Sequence, residues 1–215
     1  MKIAVLAVQG AFAEHMDKLK NLGADCLELR QQADLEQHFD GLILPGGEST
    51  VQGKLLQEQQ MLAPLRDKIR QGLPVLGTCA GLILLAQKIS NNEAVWFGTL
   101  PVCVRRNAYG RQLGSFHTSA EMKGIGTVPM TFIRAPYVES LMEARNGEAD
   151  EITGEQGTES LREAAGGVTV LARVDGRIAA VRYGNQIGTA FHPELDGDDR
   201  IHEMFLRLCR QRSAG

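Results

Sequence analysis

Leu73-Pro74-Val75-Leu76-Gly77-Thr78-Cys79-Ala80-Gly81 is an apolar run that ends in a cysteine flanked by glycines and gives way to a second apolar run, residues 82–86. Residues 73–77 read as a strand covered on both faces, and residues 82–86 as the start of a helix. A G-x-C-x-G turn between strand and helix is an elbow that lifts a nucleophile to the edge of a sheet, where glycines permit the crowded backbone approach. The partial positive charge of the helix start favours thiolate over thiol at such a position.

Working outward, residues 3–8 and 41–45 are also continuously apolar, and a further strand is expected near 26–29. Phe12, Met16, Leu19 and Leu22 recur at helical spacing before Gly23, and residues 61–69 are helical between two of the strands. Strand and helix thus alternate through the first 90 or so residues, which predicts βαβ units, a parallel sheet and ligands at the carboxyl ends of its strands. The second half differs: strand-like runs at 102–105, 130–133, 168–174 and 178–183 follow one another without long helices, so antiparallel additions are expected. Asp175-Gly176 between two of them signals a tight hairpin. A last strand, 187–191, leads to His192-Pro193-Glu194, and Ile201, Met204, Phe205 and Leu208 mark a terminal amphipathic helix.

The 215 residues suit one domain, numbered 1–215, and 43 % hydrophobic against 23 % charged residues excludes disorder. The net charge of −3 offers no broad cationic face for nucleic acid or an acidic membrane, and no apolar run reaches spanning length. Cys26, Cys79, Cys103 and Cys209 show no paired spacing, so no metal site or disulfide framework is expected, and a reducing cytoplasm fits. Residues 144–167 stand apart as an acidic insertion with few large apolar side chains.

Cys79 needs a base. Of five histidines, His15, His38 and His202 read as surface residues of helices or a polar stretch, whereas His192 ends a strand and is followed two positions later by Glu194. In extended chain those two side chains project to one side, so Glu194 can orient His192 and complete a Cys79, His192, Glu194 relay. His117 stays open as the alternative base. Pro45-Gly46-Gly47-Glu48-Ser49 follows another buried strand, and the Gly47 and Ala80 amides form a candidate oxyanion hole; a plain tight turn is the competing reading of the glycine pair.

Gly-Thr-Cys-Ala-Gly, Leu-Pro-Gly-Gly-Glu-Ser-Thr and Phe-His-Pro-Glu together resemble the class I, triad-type glutamine amidotransferases. Val8-Gln9-Gly10-Ala11, Arg105-Arg106-Asn107 with Gly110-Arg111-Gln112, and Phe132-Ile133-Arg134-Ala135-Pro136 are similar to the PdxT/SNO family, the glutaminase subunits of pyridoxal 5′-phosphate synthase. The resemblance covers the chain except residues 144–167. It implies a three-layer α/β fold with a mostly parallel central sheet, hydrolysis of L-glutamine to glutamate and ammonia through a Cys79 thioester, and no cofactor. It also implies a synthase subunit as protein partner in a large hetero-oligomer for vitamin B6 synthesis, and glutamine held at Gly46, Gly47, Glu48, Arg106, Ile133 and Arg134. Arg106 suits the α-carboxylate and Glu48 the α-ammonium, with Arg105 as the outward-facing control. Docking of the synthase is implied to complete the oxyanion hole near Gly46-Gly47, with Gln9 linked to that contact. Rival readings are a glutaminase serving another synthase, a cysteine hydrolase acting on γ-glutamyl peptides, or a noncatalytic regulatory or binding subunit.

Overall fold

The computed structural model describes residues 1–92, 94–106, 115–142, 151–152 and 167–213. Asn107, Gly110, Arg111 and Gln112, and all of the acidic stretch 144–167 except 151–152 and 167, lie outside them.

The continuously apolar runs become the centre of the molecule, because a strand buried on both faces has no use for polar alternation. Strands β1 (Lys2–Leu6), β2 (Asp25–Leu29), β3 (Gly41–Leu44) and β4 (Val75–Thr78) are parallel, in the spatial order β2-β1-β3-β4. Beside β4 the order continues with β13 (Gln186–Thr189), also parallel, although it comes last in the chain. Helix α1 (Phe12–Asn21) crosses between β1 and β2, and α2 (Ser49–Glu58) and α3 (Leu62–Arg70) lie between β3 and β4. After the elbow comes α4 (Ala80–Leu85), and the chain closes with α5 (Arg200–Ser213). Gly23 follows α1 with φ +78°, the left-handed stop expected of glycine.

The antiparallel part follows β13 through β12 (Arg177–Tyr183), β11 (Val168–Val174), β7 (Ser115–Met122) and β8 (Gly126–Ile133). Strands β5 (Ala86–Ile89), β6 (Leu100–Arg105), β9 (Tyr137–Met142) and β10 (Glu151–Ile152) join it from the side. The β11–β12 hairpin turns at Asp175 and Gly176, with φ +50° and +77°, the two positive values a primed turn requires. The helix expected through 86 stops at Leu85: Ala86 already pairs with Leu100 as the first residue of β5. Among the described residues no helix is long and apolar enough to cross a membrane.

Candidate active site

Three loops meet because three parallel strands are in register. Leu44 of β3 lies opposite Gly77 of β4, and Thr78 of β4 opposite Thr189 of β13. The chain leaves these strands as Pro45-Gly46-Gly47, as Cys79, and as Ala190-Phe191-His192, all at one carboxyl edge. Residues far apart in sequence therefore converge without any long-range loop having to reach across.

Cys79 holds φ +48° and ψ −97°, a backbone state that non-glycine residues rarely adopt. Its amide is anchored to the Thr189 carbonyl at 2.8 Å. The glycines of the elbow are dictated by packing: a β-carbon on Gly81 would lie 2.0 Å from the Leu44 carbonyl oxygen, and one on Gly77 2.8 Å from the Gly81 carbonyl. The sharp turn is possible only because these two positions lack side chains.

His192 is 6 % exposed and Glu194 5 %. Nδ1 of His192 and Oε1 of Glu194 are 2.7 Å apart, and the Cys79 thiol engages the same ring. Burial disfavours the imidazolium, but hydrogen bonds to Cys79 and Glu194 and their charges outweigh it and push His192 up to about 10. The pair does not meet as residues i and i+2 of an extended chain. Pro193–Leu195 form a single 3-10 turn, and it is this turn that folds the carboxylate back onto the ring. The His192 amide is held by the Thr131 carbonyl at 2.8 Å, so β8 fixes the approach of the histidine.

A cleft of about 350 Å³ opens beside the sulfur, lined by Gln9, Gly47, Glu48, Arg106, Ile133 and Arg134 among others, with Cys79 and His192 at its base. Gly46 sits behind the ring, where a β-carbon would fall 2.2 Å from His192 Cε1. Its carbonyl accepts from the Ala11 amide at 3.0 Å. Gln9 Oε1 accepts from the Glu48 amide at 2.9 Å, and Gln52 donates to the carbonyls of Gln9 and Pro45, so the loop after β1 braces the loop after β3. Arg134, at φ +44°, is a second strained residue on the rim.

Glu48 and Arg106, expected to take opposite ends of an amino acid, here take each other at 2.8 Å. Glu48 also caps α2 through the Thr50 and Val51 amides, and Arg106 donates to Thr50 Oγ1 at 3.0 Å. Partial burial opposes the Glu48 charge, yet these amides and Arg106 hold its carboxyl below the usual range. The cap escaped the sequence reading, although Glu48 stands directly before the helix that starts at Ser49. Arg105 behaves as the control, turned outward to Glu139 at 3.3 Å.

His117 does not approach the sulfur. It is an exposed residue of β7 bonded to Thr131 Oγ1 and near Asp196, outside the cleft. His38 is exposed as expected, but the reading of His15 and His202 as surface residues is overturned: both are fully buried. The missed signal is helical phase. His15 shares a face with Leu19, and His202 with Phe205, Leu206 and Cys209.

The model of the SNO glutamine amidotransferase family matches residues 5–211. Pyridoxal 5′-phosphate synthase subunit PdxT of Desulfitobacterium hafniense is 58 % identical over 206 residues, 96 % of this chain and 92 % of that protein. The Streptococcus pneumoniae protein of the same name is 48 % identical over 216 residues, 99 % of this chain and 100 % of its own. A crystal structure of a glutamine amidotransferase superposes with a TM-score of 0.80 at 40 % identity, covering 96 % of this chain and 98 % of the other. On its sequence motifs, its sheet and these relatives, the chain belongs to the SNO glutamine amidotransferase family.

Proposed function

We propose that the chain hydrolyses L-glutamine to L-glutamate and ammonia at Cys79 and passes the ammonia to a pyridoxal 5′-phosphate synthase subunit. The observation that carries this reading is the buried His192, which holds the Glu194 carboxylate and lines, together with Cys79, a cleft sized for a small molecule.

In this reading each step has a residue to perform it. With Nδ1 of His192 donating to Glu194, the other ring nitrogen is left for the sulfur and the substrate. The thiolate attacks the side-chain amide carbon, a C–S bond forms, and the carbonyl π electrons move to oxygen. The Gly47 and Ala80 amides are the donors for that oxyanion. The imidazolium gives its proton to the departing nitrogen, the C–N bond breaks, and ammonia leaves a thioester. His192 then takes a proton from water, the hydroxyl adds to the thioester carbon, the adduct collapses with cleavage of the C–S bond, and glutamate departs, losing its acid proton to solvent, as Cys79 returns as the thiolate beside the imidazolium.

Gly46, Gly47, Glu48, Arg106, Ile133 and Arg134 hold the substrate in this reading. The Arg106–Glu48 pair opens onto the zwitterion, so that one ion pair inside the protein becomes two with the amino acid. Docking of the synthase selects the oxyanion-competent arrangement of the Gly46-Gly47 peptide, whose carbonyl must release the Ala11 amide if that peptide turns. One glutaminase domain over residues 1–215 with an acidic insertion at about 144–167, a cytoplasmic setting and a large hetero-oligomer complete the proposal.

Ammonia release from glutamine, measured with the chain alone and mixed with a pyridoxal 5′-phosphate synthase subunit, tests it. Activity that rises with the synthase and vanishes in Cys79→Ala is expected. Activity indifferent to that synthase refutes the partner, and no Cys79-dependent ammonia in either condition refutes the chemistry.

A further inference from the structure

Behind the triad lies a second, wholly buried set of polar groups drawn from four parts of the chain. His15 of α1 places Nε2 3.1 Å from Thr78 Oγ1, on the residue before the nucleophile, and 3.4 Å from Oε2 of Glu194. Its Nδ1 lies 2.9 Å from Nε2 of His202 on α5. Glu194 spends Oε1 on His192, while Oε2 is sealed from water and has no aligned hydrogen bond among the described residues. The His15 ring nitrogen is the donor that stands beside it.

The carboxylate settles where the protons are. An ionised carboxylate can only accept, so a ring nitrogen 3.4 Å away is stable there as N–H and repelled as a lone pair. His15 therefore carries its proton on Nε2, between Thr78 Oγ1 and Glu194 Oε2, and its Nδ1 accepts the Nε2–H of His202. His202 Nδ1 ends this series as a buried acceptor with no hydrogen-bond partner among the described residues. Both rings stay neutral. Burial is the main cause for His15, held well below the ordinary value, with His202, His192 and Lys18 adding to it. Burial and Lys18 lower His202 to about 4 against the opposing charge of Asp199. A neutral donor of fixed tautomer can steady the triad carboxylate without competing for its charge.

We propose that His15, with its tautomer set by His202, is a positioning residue of this site: it holds the second oxygen of Glu194 so that the first stays aimed at His192, and it ties that carboxylate to Thr78 beneath Cys79. The inference rests on the reading of Cys79, His192 and Glu194 as the reacting set.

The test compares His15→Leu, which removes the donor, with His15→Gln, whose amide N–H can replace it. Glutaminase kinetics are measured with the synthase subunit present, and the pH dependence of Cys79 alkylation by 6-diazo-5-oxo-L-norleucine is measured alongside. For His15→Leu we expect kcat to fall by about tenfold or more, as when the outer partner of a working side chain is lost. KM should change little and the alkaline limb of alkylation should move to lower pH, while His15→Gln recovers most of both. A wild-type kcat and limb in His15→Leu overturn the proposal, and so does an equal kcat loss in both variants with the limb unmoved, which marks mere packing. Should His15→Leu fail to fold by circular dichroism, His202→Leu carries the test, with the same fall in kcat and shift of the limb expected and their absence overturning it. Wild-type chain that is not alkylated at Cys79 overturns the triad reading itself, a distinguishable failure.

Discussion

Glu194→Gln removes a negative charge 2.7 Å from His192 Nδ1 while nearly preserving side-chain volume. In the native site the ring rises from 6.5 to about 10 despite its burial, because Cys79 and Glu194 favour the imidazolium. At about 1.4 kcal/mol per pH unit, the net rise corresponds to about 5 kcal/mol, the amount by which the two partners together outweigh the cost of burial. Loss of one partner, with desolvation still acting downward, should lower the ring by about two units. Two readouts follow. The alkaline limb of Cys79 alkylation should move down by a similar amount, and glutamine turnover should fall by about 10³-fold, the scale of a misoriented general acid and base. Stability is linked to the same shift. A histidine whose folded-state value is raised contributes fully below its unfolded value near 6.5 and loses that contribution as pH climbs through about 10. The thermal midpoint of the wild type should therefore drop across that window more than that of Glu194→Gln. An unmoved alkaline limb, or turnover at the wild-type rate, refutes the reasoning.

Arg106→Ala should raise KM for glutamine by about 10- to 100-fold through loss of a charge-assisted bond, with little change in kcat, while Arg105→Ala leaves both unchanged. Equal effects of the two substitutions in steady-state assays would show that the strand end does not discriminate them. Gly46→Ala places a methyl 2.2 Å from His192 Cε1 and displaces the ring, so glutaminase activity should fall by about 100-fold or more in a protein that still folds. Activity within a few-fold of wild type would mean that the loop yields instead. Gly81→Ala drives a β-carbon to 2.0 Å from the Leu44 carbonyl, a backbone atom of the neighbouring strand, and should cost about 3 kcal/mol by urea unfolding. A midpoint unchanged from wild type would contradict that packing.

Much of this was legible because the relevant signals are local. The continuously apolar runs around Val5, Ile43 and Leu76 announce strands buried on both faces. Gly-Thr-Cys-Ala-Gly announces the elbow, and Asp175-Gly176 its hairpin, because each pattern fits one backbone geometry. Where neighbours compete, local pattern misled: Ala86 left the helix because β6 offered it a parallel partner, and His192 met Glu194 through a 3-10 turn rather than an extended link.

By itself the sequence singled out a candidate nucleophile, base and orienting carboxylate as residue types, and the class of sheet that presents them, since these depend on spacing within a few residues. The tertiary structure alone decided what faces what. Only the register of β3, β4 and β13 brings Gly46, Cys79 and His192 to one edge, and only the packing of α1 and α5 against that sheet turns His15 and His202 from presumed surface residues into a sealed support for Glu194. The reason is physical: backbone spacing specifies which way a side chain leaves its own element, whereas its charge state and partners are set by the water excluded when a second element covers it.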